Sequence, residues 1–146
     1  MKLDKLWKGL TQIANGDYVL EGDLIVEENL EIDLDDRLVV KGKIQVKKNI
    51  IAGCGIKAGC GIEAGEGIEA GCGIEAKTFI HSEKRIFAGL YLYHDSAKCK
   101  KTIKCAELRK GEICYGDLII EEPVVEMTIA EIEEKLGIKN LKIKEG

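Results

Sequence analysis

The chain is short of prolines, histidines and aromatic rings: one Pro, two His, and 5% Phe, Trp and Tyr together, beside 17 glycines. Such a backbone is expected to turn often and tightly. No apolar run is long enough to span a bilayer, and Met1-Lys2-Leu3-Asp4 opens no secretory signal, so a cytoplasmic protein without membrane contact is expected. An excess of one charge is missing as well. The 22 basic and 26 acidic residues leave a net charge of −4, which supplies no general electrostatic reason to bind nucleic acid directly. There is also no C-x-x-C pair. Cys54, Cys60, Cys72, Cys99, Cys105 and Cys114 stand apart with neither histidine beside them, so no metal site and no cofactor is expected. Without a secretion signal, the expected state of these thiols is reduced, as small packing residues.

What is present is a repeat. Residues 50–76 read IIAGCGIKAGCGIEAGEGIEAGCGIEA, in 146 residues that suffice for one domain with a sizeable core. Stepping by six from Ile56 lands on an aliphatic residue at every stop from Leu20 to Leu92, so the glycine-rich part is only the most regular portion of a longer pattern. An α-helix cannot use this period, because six residues rotate the side chain to a different face each time. A short strand can. From Ile32 to Ile74, two positions after each of these aliphatic residues stands another apolar one (Leu34, Val40, Val46, Ala52, Ala58, Ala64, Ala70, Ala76), and residues two apart share one face of a strand. Three such strands joined by glycine bends make an 18-residue triangular coil, and coils stack as parallel sheet. The fold class is therefore mainly β, a triangular parallel β-solenoid of about four coils.

An 18-residue coil sets columns of stacked residues. Glu66 falls between Lys48 and Lys84, Asp23 beside Lys41, and Cys54 beside Cys72. An acidic first coil (Glu21, Asp23, Glu27, Glu28, Glu31, Asp33, Asp35, Asp36) would lie under a basic second one (Lys41, Lys43, Lys47, Lys48), an alternation that favours this register. Glu66 then reads as a register pin and not as a catalyst.

Both ends differ from the repeat. Leu3, Leu6, Trp7, Leu10 and Ile13 form a stripe at helical spacing that Gly16 can terminate, which predicts a capping helix over 3–15 within an N-terminal segment 1–17. The solenoid is assigned to 18–95. Beyond Leu92 the six-residue period fails, and 96–146 is expected to cap the other end with strands and a short helix, for which Thr128 and Glu131 form a capping box and Gly137 the stop.

The run IKAGCGIEAGEGIEAGCGIEA resembles the hexapeptide repeats of left-handed β-helix proteins. Glu63, Glu69 and Glu75 fit that family's second slot and Cys60, Cys72 and Thr78 its small-residue slot, while Lys57 and Glu66 depart from it. The resemblance implies a left-handed coil and covers about half of the chain. Hexapeptide acyltransferases use a histidine as general base, and His81 lies at an outward strand position, but no acceptor-binding loop interrupts the coils here. Solenoid carbonic anhydrases need three histidines per chain, more than the two this chain has. Bactofilins, which build scaffold filaments from stacked glycine-rich strands, grow through uncapped ends. The whole layout, with its GxGIEA array and the tail MTIAEIEEKLG, is similar to uncharacterised proteins carried by bacterial prophages. Small phage proteins of that kind often inhibit host defence systems such as CRISPR effectors.

Outward positions carry apolar residues that a solvated sheet does not need: Ile51 and Phe87 on one face, Val39, Tyr91 and Tyr93 on another. They are either contacts for the caps and tail or anchors for a partner. The expectation is a non-enzymatic interaction protein, with no catalytic residue, that offers a rigid face to a protein partner and forms a homo-oligomer, a dimer in the first instance. A bactofilin-like scaffold is the alternative, and an acyltransferase using His81 a second.

Overall fold

The computed structural model describes residues 1–90 and 100–121. Among them there is no helix, and so none long and apolar enough to cross a membrane. The chain opens with β1 (Lys2–Asp4), β2 (Leu10–Gln12), β3 (Tyr18–Leu20), β4 (Leu24–Val26) and β5 (Leu30–Asp33). The regular part follows as β6 (Leu38–Val40), β7 (Ile44–Val46), β8 (Ile50–Ala52), β9 (Ile56–Ala58), β10 (Ile62–Ala64), β11 (Ile68–Ala70) and β12 (Ile74–Ala76). Longer strands alternate with short ones thereafter: β13 (Phe79–Phe87), β14 (Thr102–Cys105), β15 (Glu107–Tyr115) and β16 (Asp117–Ile120).

With one exception, each strand pairs in parallel with strands one coil away and not with its sequence neighbour. One stack holds β4, β7, β10 and the first half of β13; a second holds β1, β5, β8, β11 and the second half of β13. β15 runs beside β13 across both, and the third stack is β2, β3, β6, β9, β12, β14 and β16. The result is a β-solenoid of about five turns. Its core follows from the alternation within each hexad. Ile62 and Ala64 are fully buried while Glu63 between them is exposed, and Ile44, Ile62 and Ile80 stack as one inward column. Each isoleucine so buried contributes roughly 1.5–3 kcal/mol against chain entropy. The backbone ladder joins Glu66 to both of the expected layers: Lys84 N donates to Glu66 O and Glu66 N to Lys48 O, each at 3.1 Å.

Several expectations need correction. The N-terminal residues form β1, a turn and β2, and not a helix. Leu3 is fully buried over Ile32, whereas Leu6 and Trp7 of the same stripe are exposed. The open edge of β5 offers Leu3 a core position and backbone partners at once, which an isolated helix of this length could not match. The stack also has about five turns and not four, because residues 102–120 continue it: Ile103 lies opposite Ile74, Leu108 opposite Ile80, Ile113 opposite Ile86 and Leu118 opposite Ile103.

The first coil is 20 residues long. Leu38 pairs with Tyr18, Ile44 with Leu24 and Ile50 with Leu30, whereas Ile56 pairs with Leu38 at the regular 18. Hence Asp23 stands next to Lys43, whose N donates to its Oδ1 at 2.9 Å, and not next to Lys41. The extra residues lie in the corner before Leu38, where the Tyr18 hydroxyl donates to Asp35 Oδ1 at 2.6 Å. Layered charge pairs exist, but in this longer register: Arg37 with Asp17 and Lys47 with Glu27. Tyr91, Leu92, Tyr93, the expected capping helix beginning at Thr128 and the last strand lie outside the described residues.

Candidate functional site

The outward column of the second stack is Glu31, Ile51, Glu69, Phe87 and Tyr115, one residue per layer. Strand pairing places them: Glu31, Ile51, Glu69 and Phe87 are each the middle residue between two inward ones, and Tyr115 joins through a register shift of β15 against β13. Ile51 is 45% and Tyr115 43% exposed, with Phe87 half-buried between layers. Beside the column runs a cleft of about 820 Å³ bounded by Ile51, Phe87, Lys84, Arg85, Gly111 and Glu112, among others. No glycine marks this corner of β13, which passes through it as continuous strand with register shifts against β15. The cleft is lined by apolar side chains and by charges of both signs, with Arg85 opposite Glu112.

Ile51 and Phe87 thus share one column, as expected, with Glu69 between them. Tyr115 joins them, and the sequence reading missed it because the period is broken before Ile103. Val39 is on the third stack, half-buried, between Val19 and Lys57. Phe79 is committed internally. Its ring covers Gly61, where any Cβ would strike it, and the Arg109 guanidinium lies 3.8 Å from the ring centre.

Glu66 is held by a different partner from the lysines expected. Its Oε2 accepts from Asn49 Nδ2 at 2.6 Å, and Asn49 Oδ1 in turn accepts from Gly67 N at 2.9 Å. Asn29 Oδ1 accepts from Asn49 N at 3.1 Å, so an amide column runs up this corner. The only sequence signal for it was the 20-residue spacing of Asn29 and Asn49. Ser82 takes the second inward slot usually held by alanine and stays satisfied by donating to Glu66 O at 2.7 Å.

His81 faces outward between Glu63 and Lys110. Its Nε2 lies 2.7 Å from Glu83 Oε1, and Lys110 Nζ holds the other carboxylate oxygen. Lys110 first and His81 second hold the Glu83 carboxyl below the usual carboxylate range. This stabilisation is therefore present above the unfolded-state value and is lost as pH falls through the lowered folded value. In Lys110→Met, the Glu83 titration followed by carboxyl-carbon NMR moves back up toward an ordinary glutamate.

The cysteines correct one expectation. Cys72 is disulfide-bonded, while Cys54, Cys60, Cys105 and Cys114 are free. The register that sets Ile56 opposite Ile74 places Cys54 one layer from Cys72. Burial pushes the Cys54 and Cys105 thiols up, which disfavours the reactive thiolate. Among the described residues, no group of three or more His, Cys, Asp and Glu is placed to hold a metal. Compared with protein-family models, curated proteins and solved structures, the chain matches none.

Proposed function

We propose that this protein is a non-enzymatic interaction protein that docks a protein partner on the second face of its solenoid. The observation that carries the reading is the outward column Ile51, Glu69, Phe87 and Tyr115, three large apolar groups around one carboxylate beside a cleft, on a sheet whose every strand is paired within the stack. Aromatic and aliphatic groups fixed on a stiff surface lose little side-chain entropy on binding, which is why such groups serve as anchors. Inhibition of a bacterial host defence protein is the more specific form of this proposal, and the GxGIEA array with its tail supports it by resemblance alone.

The test begins with affinity capture from a bacterial lysate, followed by titration of the identified partner. Phe87→Ala is expected to weaken that complex by about 2 kcal/mol, roughly thirtyfold, with the melting curve of the free protein little changed. Equal affinity of wild type and Phe87→Ala would remove this face from consideration.

For the scaffold reading, growth would have to proceed through the ends. At the N-terminal end β1 lies under β5 and β2 under β3, and this partial cover favours a discrete protein. Filaments in negative-stain micrographs would reverse that preference. The acyltransferase reading asks His81 to act as general base, while its Nε2 is engaged by Glu83. Saturable coenzyme A binding that disappears in His81→Ala would restore it.

A further inference from the structure

The first coil has a step at its lower end. β1 adds a strand beneath β5 and β2 one beneath β3, but among the described residues β4 is the last strand of its stack. In a parallel ladder alternate residues turn their backbone groups to opposite sides. Leu24 N donates upward to Lys43 O and Val26 O accepts from Lys47 N, so Ile25 turns its N–H and C=O down, where no described residue meets them. Among the described residues β1 and β2 each add one strand to their stacks, and none is added under β4.

The chemistry around β4 says what fits its edge. Residues 1–36 hold ten carboxylates against three lysines, whereas the other 110 residues hold 16 against 19 cationic side chains. Acids follow β4 on both sides, with Glu21 and Asp23 before it and Glu27 and Glu28 after it, all exposed. Asp23 is occupied by Lys43 N, Glu27 by Lys47 and Glu28 by the Met1 ammonium, whereas Glu21 has no partner among the described residues. The Ile25 side chain, 55% exposed, supplies an apolar contact in the middle. A second copy offering the same edge would bring two acidic rims together, which is repulsive.

We propose that β4 accepts an extended, lysine- or arginine-rich segment of another protein as an added strand, completing the layer that β1 and β2 begin. Main-chain hydrogen bonds to Ile25 supply the attachment, and the acidic rim selects the charge. This surface is separate from the Ile51–Phe87–Tyr115 face, so either proposal can fail without the other.

The test uses the full chain and a short fluorescent peptide alternating lysine with valine, with a glutamate–valine peptide as comparison, read by anisotropy. Ile25→Pro removes the downward N–H but leaves the bonds made by Leu24 and Val26, and proline is tolerated on an edge strand. The lysine peptide is expected to bind wild type, to weaken about tenfold in Ile25→Pro, and to weaken as salt is raised. Should Ile25→Pro fail to fold by circular dichroism, Glu21→Lys with Glu28→Lys replaces it. That double variant should lose the lysine peptide and gain the glutamate one. No binding of the lysine peptide, equal binding of both peptides, or binding unchanged in the variant overturns the proposal. So does self-association of wild type by light scattering that Ile25→Pro abolishes, which would assign the edge to a second copy.

Discussion

Gly59→Ala destabilises the protein by about 3 kcal/mol, while Gly53→Ala, at the same place in the preceding hexad, stabilises it by about 0.4–1 kcal/mol. Both glycines have ordinary negative φ, so conformational freedom is not the reason. The difference is the floor beneath them. A Cβ on Gly59 would press into the carbonyl of Lys41 one layer below, within 2.9 Å of its carbon, and the same collision meets Gly65 at Lys47. Backbone in a hydrogen-bonded ladder cannot step aside as a side-chain tip can, which puts the cost at the upper end of overpacking. Under Gly53 the nearest atom is Leu34 O at 3.7 Å, because the longer first coil widens that corner. There alanine only reduces the freedom of the unfolded chain. Urea denaturation of the two single variants, compared with wild type, gives shifts of opposite sign. A loss of similar size in both would show that the widened corner is not there.

Arg37→Ala costs about 3 kcal/mol, at the low end for breaking a buried ion pair because the arginine itself is partly exposed. Asp17 is 1% exposed, and Arg37 Nη2 donates to its Oδ2 at 2.6 Å. Asn15 Nδ2 donates to the same oxygen at 3.0 Å but brings no charge. Truncating Arg37 therefore takes the 2.6 Å guanidinium contact from a buried carboxylate of the first coil. Asp17→Asn combined with Arg37→Met recovers most of the loss, since position 17 then holds no buried charge. Thermal melts of the single and double variants measure this, and a double variant as unstable as Arg37→Ala would mean that packing, not charge, sets the cost.

These two predictions separate what could be read early from what could not. The repeat Ile-x-Ala-Gly-x-Gly dictates short strands, inward isoleucine and alanine, glycine corners and the stacking of Glu66 with the backbones of Lys48 and Lys84. Each of these follows from two local facts, the alternation of a strand and the room a corner leaves, so neighbouring residues suffice to specify them. Ile51 and Phe87 were legible as outward and as sharing a column for the same reason.

The length of the first coil was not legible. A slip of two residues moves one inward slot onto the other, and in this coil both are large and apolar: Tyr18 and Leu20, Leu24 and Val26, Leu30 and Ile32. The pattern is unchanged by the slip, and only pairing across layers reveals it. The outward place of Ile25, and with it the edge of β4, depends on that pairing. The N-terminal stripe likewise satisfies a helix on its own, yet Leu3 gains a layer of sheet only because β5 presents it an edge to pair with. Tyr115 reached the column of Ile51 and Phe87 by the same route, since its partner Phe87 lies across an insertion that no period spans. The sequence by itself determined the repeating unit, because that unit is stabilised within and beside each hexad. Only the tertiary structure decided the register of the first coil, the two strands that start the stack and the fifth turn that extends it, because their energies come from hydrogen bonds to residues a full coil away.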